Sequence, residues 1–269
     1  MNSQEINSLL VLPLHKLISM ADEIRQECVG SKIELCSIIN AKSGSCAQDC
    51  KFCAQSARHA TGINTYSLKT KEEMLQAALR AKDIGAQRFD IVTSGNRLNQ
   101  DELRVIADTI FEITNKIGIK MCASLGSLKE KELRLLKDAG LTRYHHNLET
   151  SRDYFKRVVS THTFQDRVNT IRLAKKAGLQ VCSGGIIGMG ETLEDRIQMA
   201  LTLKELDVDS VPINILVPIK GTRFEDRPLL SCSEAIRTIA LFRIILRGKI
   251  IKIAAGRESV LKDFQALAF

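Results

Sequence analysis

Three cysteines lie close together near the start of the chain, at Cys46, Cys50 and Cys53, in a CxxxCxxC arrangement. The loop that carries them opens with Lys42-Ser43-Gly44, directly after an apolar segment. Three thiolates with this spacing can bind three irons of a four-iron cluster, and the fourth iron then has no protein ligand. The motif therefore predicts an iron–sulfur cluster with one open coordination position.

The open iron would be the chemically active part of such a cluster. It can bind the amino and carboxylate groups of S-adenosylmethionine and pass one electron to the sulfonium, which releases methionine and a carbon radical. A zinc site is the alternative, but structural zinc usually takes four ligands in two spaced pairs. The chain has no second CxxC pair, and His59 is the only histidine near the motif. We therefore expect the cluster rather than zinc.

The composition is that of a globular enzyme and not of a nucleic-acid-binding or membrane protein. The 269 residues are 44% hydrophobic and 26% charged, which suffices for one large core. Eight cysteines in a chain without a secretory pattern indicate metal or redox chemistry in the cytoplasm. The net charge of +8 is spread among acidic neighbours, as in Lys129-Glu130-Lys131-Glu132, and aromatic residues are few. We expect no nucleic-acid partner and no membrane partner.

Short apolar runs alternate with longer segments of helical periodicity after an N-terminal helical segment over residues 1–31. Seven runs are predicted to be strands: Ile33–Asn40, Arg88–Thr93, Lys120–Ser124, Arg143–Asn147, Gln180–Ile187, Ser210–Leu216 and Lys249–Ala254. The main helices are predicted over Lys71–Lys82, Gln100–Lys116, Glu130–Ala139, Phe164–Ala177, Leu193–Glu205 and Ser233–Leu246. The chain stops soon after the last strand, so its C-terminus looks shortened.

This βα repetition predicts parallel strands with right-handed crossovers, in a doubly wound sheet or in a closed (β/α) barrel. Chemically active residue types fall in or just after nearly every strand, whereas a doubly wound sheet gathers them at one switch point. We therefore predict a single α/β domain over residues 1–269. It would be a TIM-type (β/α) barrel with seven visible strands and the eighth missing at the C-terminus.

Five blocks of sequence occur in an order that is typical of one enzyme family. They are Ala41–Ser56, Tyr144–Thr150, Val181–Thr192, Val211–Asn214 and Ala255–Glu258. Together they resemble the biotin synthase family of the radical S-adenosylmethionine superfamily, whose members insert sulfur into dethiobiotin to form biotin. The resemblance implies a radical sulfurtransferase with dethiobiotin as substrate and a reduced flavodoxin- or ferredoxin-type electron donor. A homodimer is compatible with it.

The resemblance also implies which residues hold the cofactors. The three clustered cysteines would hold a [4Fe–4S] cluster. Asn147 and Glu149 would bond the ribose and neighbouring groups of S-adenosylmethionine, and Arg167 would hold its carboxylate, a task that suits a fixed bidentate donor. The adenine side would be lined by Gly184, Gly185 and Glu191, where glycines let the backbone approach a ligand.

The substrate's ureido ring would be read by Asn147 and Asn214, because an amide side chain donates and accepts at once. His145 occupies a position where the family commonly has another asparagine, so the resemblance makes it a third substrate contact. A packed or solvated histidine is the alternative there.

A second, auxiliary cluster is implied as the sulfur donor, usually [2Fe–2S] and held by three cysteines and an arginine. Cys122, Cys182 and Arg257 match three of those positions, and the fourth is Asp90, a harder ligand than a thiolate. Cys36 lies in the adjacent first strand and is expected to point inward. We expect Cys36 to join the two matching cysteines. Arg257 or Asp90 would complete or flank a cluster whose nuclearity can differ. A small buried residue is the alternative role for Cys36.

Two other functions fit parts of the sequence. A radical enzyme of the hydrogenase maturase or methylornithine synthase type would share the first motif and the barrel, but it need not share Cys122, Cys182 and Arg257. A metal-stabilised nucleic-acid-binding protein would use the net charge of +8. Sulfur insertion is the leading hypothesis because it accounts for both groups of cysteines.

Overall fold

The chain folds into a parallel β-sheet whose strands are connected mainly by helices. The computed structural model describes residues 3–31 and 33–268. The strands are β1 (Cys36–Lys42), β2 (Arg88–Thr93), β3 (Lys120–Ser124), β4 (Leu141–His145), β5 (Gln180–Cys182), β6 (Gly185–Ile187), β7 (Ser210–Ile215) and β8 (Ile250–Ile253). All pairings between them are parallel.

The order of the strands in the sheet follows their order in the chain. β5 and β6 lie end to end against one side of β7, and β8 lies on its other side. This order is typical of a (β/α) barrel, whereas a doubly wound sheet reverses its order partway. Within residues 3–31 and 33–268, β1 pairs only with β2 and β8 only with β7. The prediction of an α/β barrel with seven strand positions is confirmed, and the described part of it is a curled, unclosed sheet.

β1 begins at Cys36, three residues later than in its predicted range, Ile33–Asn40. The amides of Gln87 and Arg88 both donate to the carbonyl of Leu35. Because both amides bind the same carbonyl, the regular pairing of β1 with β2 starts only at the residue after Leu35. Cys36 is therefore the first residue of the strand.

The fifth predicted strand, Gln180–Ile187, is divided into β5 and β6. The carbonyl of Gly184 accepts hydrogen bonds from the amides of both Leu148 and Glu149, and Glu149 has a left-handed backbone with a φ of 71°. This local turn interrupts the ladder, so β4 ends at His145, two residues earlier than predicted. The irregularity brings the end of β4 close to the start of β6.

The described residues form eleven helices, of which six are capped at the first turn by a side chain that accepts a hydrogen bond from a free amide. They are α1 (Ser3–Leu10), α2 (Leu14–Cys28), α3 (Lys71–Asp83), α4 (Gln100–Lys116), α5 (Glu130–Asp138), α6 (Arg152–Val158), α7 (Phe164–Lys176), α8 (Leu193–Glu205), α9 (Cys232–Leu246), α10 (Arg257–Val260) and a 3₁₀ helix, Lys262–Ala268. Capping boxes open four of them, at Thr70, Asn99, Thr163 and Thr192. α6 was not predicted because its seven residues are too few for a helical period to be recognised.

The N-terminal helix α2 packs against α9 and lines a cavity together with β1 and β8. Leu17 is fully buried, and Arg237 Nη1 donates to the carbonyl of Leu12 at 2.8 Å. Burying a leucine contributes about 1.5–3 kcal/mol, so these contacts help to hold α9 beside the sheet. None of the helices within the described ranges is both long and apolar enough to span a bilayer.

The strand pleat separates an apolar outer face from a polar inner face. On β2, for example, Phe89 is buried on the outer face, and its neighbour Asp90 points inward. Strand register then sets Asp90 beside Cys122 and His145 beside Cys182. The inner face therefore gathers thiols, a carboxylate and an imidazole from separate parts of the sequence.

Candidate active site

The CxxxCxxC loop between β1 and α3 is folded by its own backbone. The Cys46 amide donates to the Gln55 carbonyl at 3.0 Å, and the Cys53 amide donates to the Cys50 carbonyl at 2.9 Å. Gly44, just before the loop, has a φ of 77°, and a Cβ there would overlap a threonine side chain. Only glycine meets both conditions without strain, so the entrance to the loop is fixed by the sequence.

The three thiols of this loop lie within electrostatic reach of one another. Burial raises the pKa of Cys50 to about 12 and also raises the pKa of Cys53, and the charge of Cys46 adds to both rises. Such thiols ionise when cationic iron compensates for the lost solvation. Within the described residues, no three His, Cys, Asp or Glu side chains converge on a single-ion position. A cluster is larger than one ion, and an all-thiolate set suits its iron.

Asp49 fastens the cluster loop to the segment between α6 and α7. Its carboxylate accepts hydrogen bonds from the amides of Ser160 and Thr161, at 2.9 and 3.1 Å, and from both of their hydroxyls. Although burial opposes ionisation, these donors hold the pKa of Asp49 well below its usual range. The loop is therefore anchored to the segment between α6 and α7 through its own ionised carboxylate.

Three of the residues predicted to bind the cofactor meet beside the cluster loop. The Asn147 amide donates to Glu149 Oε2 at 3.3 Å, and Arg167 Nη1 donates to the Asn147 carbonyl at 2.9 Å. The same Nη1 lies 3.5 Å from Glu149 Oε1. The charges of Arg167 and Glu149 both act on Cys50 and Cys53. A cation and an anion thus stand next to the proposed cluster ligands, as binding of an amino acid moiety would require.

Gly184 and Gly185 are required by packing within the protein. A Cβ on Gly184 would overlap the carbonyl of Pro212 in β7, and a Cβ on Gly185 would overlap the Met199 sulfur and the Glu149 carbonyl. The absence of side chains therefore lets β6 lie against β7 and the end of β4. Approach of a ligand to these glycines stays a prediction.

Glu191 organises the turn that follows β6. Its carboxylate accepts hydrogen bonds from the amides of Gly188 and Met189 at 2.8 and 2.7 Å. It also forms a buried ion pair with Arg196 at 2.7 Å. The Glu191 carboxylate is already bonded to these three groups, so a direct contact with the cofactor would compete with them. Its predicted role is therefore to hold the turn in a shape that can line the cofactor.

Cys36, Cys122 and Cys182 form a second group of thiols inside the barrel. Cys36 and Cys122 lie close enough to interact, and this interaction lowers the pKa of Cys36 and raises that of Cys122. The Cys36 thiol itself donates to the carbonyl of Ser37 at 3.8 Å. Cys182 is close enough for its charge to act on Cys36. Cys36 and Cys182 line a cavity of about 1580 Å³. These residues fit an all-thiolate iron cluster, with Cys36 from β1 joining β3 and β5.

Asp90 and His145 lie between the two groups of thiols. His145 Nδ1 is 3.2 Å from Asp90 Oδ2, and its Nε2 is 3.0 Å from Asn147 Oδ1. The amide of Gly184 donates to the same Asn147 oxygen, so both neighbours of the imidazole are acceptors and His145 carries both protons. Burial alone would lower the pKa of His145, but the charges of Cys182 and Asp90 raise it to about 10. One oxygen of Asp90 serves His145, and the other, Oδ1, is buried without a hydrogen-bond partner among the described residues.

Asn214 and Arg257 line the same cavity from β7 and α10. The Asn214 amide donates to the Gly185 carbonyl and accepts from the Ala255 amide, each at 3.2 Å. This orients its remaining N–H and lone pair. Arg257 donates to Gln265 Oε1 at 3.2 Å, and its side chain is 43% exposed. Its guanidinium is therefore held at the rim of the cavity.

Lys252 is an interior cation that the sequence analysis did not identify. It lines the cavity from β8, and its charge lowers the pKa of Cys36. Its neighbours in the strand, Ile251 and Ile253, are apolar. A lysine that alternates with apolar residues in a buried strand is the signal that could have revealed it.

A second feature not identified from the sequence is a group of polar side chains, Glu34, Arg88, Arg143 and Gln180, which we call the barrel floor. Arg88 and Arg143 are buried there and share Glu34 Oε1, at 2.8 and 3.3 Å. Both guanidinium groups also donate to Gln180 Oε1. The charge of Arg88 lowers the pKa of Cys122, but the larger effects of Cys36 and of burial raise it. The charges of the barrel floor therefore act on the second group of thiols.

Two family models match consecutive parts of the chain. Residues 42–203 match the Radical SAM superfamily, and residues 212–269 match the Biotin and Thiamin Synthesis associated domain. The chain is 57% identical over 240 residues to the biotin synthase of Thermotoga neapolitana, covering 89% of this chain and 86% of that protein. It is 51% identical over 266 residues to the biotin synthase of Thermotoga petrophila, covering 98% and 88%.

Solved structures of two other proteins share the fold at lower identity. Methylornithine synthase superposes with a TM-score of 0.82 at 24% identity, over 93% of this chain and 74% of that one. The FeFe-hydrogenase maturase HydG from Carboxydothermus hydrogenoformans superposes with a TM-score of 0.81 at 20% identity, over 95% and 61%. These two likenesses concern the fold alone. The sequence matches go further, and the chain belongs to the biotin synthase family of the radical S-adenosylmethionine superfamily.

Proposed function

We propose that this protein converts dethiobiotin to biotin by radical insertion of sulfur, as the biotin synthases to which it is similar are named for doing. The observation that carries the proposal is the arrangement of two groups of thiols in one barrel. A continuous set of polar contacts from Asp90 through His145 and Asn147 to Glu149 runs between them. A substrate held along this path would lie between a radical source and a sulfur source.

The first group, Cys46, Cys50 and Cys53, would hold a [4Fe–4S] cluster. When bound, this cluster supplies the electron that splits S-adenosylmethionine into methionine and a carbon radical. Arg167 would bind the carboxylate of S-adenosylmethionine, and Asn147 and Glu149 would bond its ribose and neighbouring groups. Gly184, Gly185 and the turn held by Glu191 would line its adenine side.

The second group, Cys36, Cys122 and Cys182, would hold the auxiliary iron–sulfur cluster, either [2Fe–2S] or a variant. Its support is the closeness of the three thiols, since Cys122 and Cys182 both act on the pKa of Cys36. Asp90 would flank this cluster and orient His145, since one of its oxygens is already bonded to that imidazole. Arg257 would approach from the rim of the cavity.

The ureido ring of dethiobiotin would be bound by Asn147, Asn214 and His145. The two amides have fixed orientations, because each makes hydrogen bonds to neighbouring protein groups. Pre-oriented donors and acceptors lose little entropy when a ligand binds. The cavity walls would keep water from the radical while the substrate is in place.

The remaining partners follow from the same chemistry. We propose that a reduced flavodoxin- or ferredoxin-type protein supplies electrons and that the protein works in the reducing cytoplasm. Eight unpaired cysteines support that location. We propose one domain for the chain, since β7 pairs with strands on both sides, and we keep the homodimer as a proposal that solution scattering can test.

Three cysteine variants test the assignment of the clusters. After anaerobic reconstitution, Cys36→Ala should lose auxiliary iron and sulfide and biotin formation, yet still release methionine from S-adenosylmethionine. Cys53→Ala should lose methionine release. Cys28→Ala, at an exposed thiol, is the matched control and should behave like the wild type. Unchanged iron, sulfide and biotin formation in Cys36→Ala would refute the role of this residue.

A further inference from the structure

His162 lies in the loop between α6 and α7 and contacts two parts of the site at once. Its Nδ1 is 2.8 Å from Gln48 Oε1, in the middle of the CxxxCxxC loop. Its Nε2 is 3.2 Å from Arg167 Nε. The ring also packs edge-on against Phe155, with 5.6 Å between ring centres. No other described side chain hydrogen-bonds both to the cluster loop and to Arg167.

The two partners define the protonation of the imidazole. A guanidinium nitrogen can only donate, so His162 Nε2 must offer its lone pair to Arg167. The proton is then on Nδ1 and is donated to the side-chain oxygen of Gln48. Burial and the charge of Arg167 lower the pKa of His162 to about 4, which agrees with a neutral ring. His162 is therefore a directional link and not a second cation.

Arg167 is held on two of its three nitrogens. His162 accepts from Nε, and the Asn147 carbonyl accepts from Nη1 at 2.9 Å. The third nitrogen, Nη2, donates to no group within residues 3–31 and 33–268. The guanidinium plane is thus fixed with the Nη2 donors available, and the charge of Arg167 acts on Cys50 against the larger effect of burial. Fixing a planar donor in advance reduces the entropy lost when it binds a carboxylate.

We propose that His162 is a positioning residue that aims Arg167 at the carboxylate of S-adenosylmethionine. The proposal rests on the proposed function of Arg167. It adds a determinant of cofactor affinity that lies outside the groups touching the cofactor. The neighbouring Ser160 and Thr161, which hold Asp49, make the same segment a clamp on the loop.

Two variants separate the two contacts, because each keeps one of them. In His162→Asn the amide nitrogen replaces Nδ1, so the bond to Gln48 is kept and the acceptor for Arg167 is lost. In His162→Gln the side-chain oxygen replaces Nε2, so the acceptor is kept and the bond to Gln48 is lost. Asn169→Ala, at an exposed position of α7, is the matched control on the same helix.

The measurement is binding of S-adenosylmethionine to the anaerobically reconstituted enzyme by calorimetry, with iron content determined on the same samples. His162→Asn should weaken binding about tenfold, the effect of one hydrogen bond to a charged group, with iron content unchanged. His162→Gln and the control should bind within about twofold of the wild type. In steady-state assays, KM for S-adenosylmethionine should rise in His162→Asn, while kcat changes little.

Equal affinity of His162→Asn and the wild type overturns the proposal, and so does an equal loss in both His162 variants, which would indicate simple packing. His162→Phe tests packing directly, because it keeps the ring contact with Phe155 but has no acceptor for Arg167. It should bind S-adenosylmethionine as weakly as His162→Asn if the acceptor matters, and like the wild type if only packing matters. Failure of the proposed function looks different. In that case Arg167→Lys would bind S-adenosylmethionine as the wild type does, or the wild type would not bind it.

Discussion

β2 contributes a carboxylate between two strands that contribute thiols. Asp90 lies beside Cys122 on β3 in the sheet register, and Cys36 reaches Cys122 from β1. Because His145 occupies one oxygen of Asp90, the carboxylate has a defined task besides any ligation. The proposal is therefore that a thiol from β1 takes the place that β2 leaves without one.

In the barrel floor, Glu34 is the carboxylate that the two buried arginines share. Glu34→Gln should lower the free energy of unfolding by about 2 kcal/mol, because Arg88 and Arg143 lose their shared counterion. This is less than for a fully buried ion pair, since the Glu34 side chain is 26% exposed. Urea denaturation of the metal-free protein measures the change.

Glu130→Gln is the control for this prediction. Glu130 pairs with Arg134 and Lys176 on the protein surface, where solvent screens the charges. It should therefore change the denaturation midpoint much less than Glu34→Gln. Equal effects of the two substitutions would show that the barrel floor has no special electrostatic role.

At the scale of the elements, the contact of β6 with β7 depends on a residue without a side chain. Gly184→Ala should lower the free energy of unfolding by about 3 kcal/mol, because the added methyl group would overlap the Pro212 carbonyl. Gly248→Ala is the matched control, since its nearest neighbours are 3.7 Å away in Cys28. Thermal denaturation compares the two, and equal midpoints would contradict the packing argument.

The turn after α8 is tied to α7 and to the residue before β8 by one carboxylate. Asp207 pairs with Lys175 at 2.9 Å and with Lys249 at 2.5 Å, and these hydrogen bonds and charges lower its pKa to about 2. A lowered pKa stabilises the fold above the unfolded value, about 4, and this contribution disappears as the pH falls through 2. Asparagine also tolerates the left-handed backbone found at this position, with a φ of 49°.

Asp207→Asn should therefore cost less than about 1 kcal/mol at pH 7, as expected for an exposed pair. The difference from the wild type should vanish near pH 2, and it should shrink in 1 M salt because exposed charges are screened. Urea midpoints at several pH values measure it. A difference that grows as the pH falls would contradict this account.

At the scale of the whole molecule, periodicity and glycine stops predicted the seven strand positions and six of the helices. Local pattern sufficed there because strand and helix periods are set by nearby residues. The boundaries around Glu149 and Gly184 were wrong, since a backbone turn and a shared carbonyl acceptor have no period. α6 escaped notice because it is too short.

The candidate site also has parts that the sequence predicts and parts that it does not. The CxxxCxxC spacing is local, so its loop could be identified directly from the sequence. Glu34 and Arg143 are 109 residues apart in the sequence, and His162 is 114 residues from Gln48. Such pairs form only when the sheet curls, so no local pattern can reveal them. The role of Asp90 likewise depends on His145, which is 55 residues away in the sequence.

The central claim is that two thiol groups in one barrel carry out sulfur insertion. The most direct test is biotin formation from dethiobiotin by the anaerobically reconstituted enzyme, with S-adenosylmethionine and a reductant, followed by mass spectrometry. The account predicts biotin and methionine from the wild type, with methionine but no biotin from Cys36→Ala. Methionine release without biotin from a wild-type enzyme that has both clusters would contradict it.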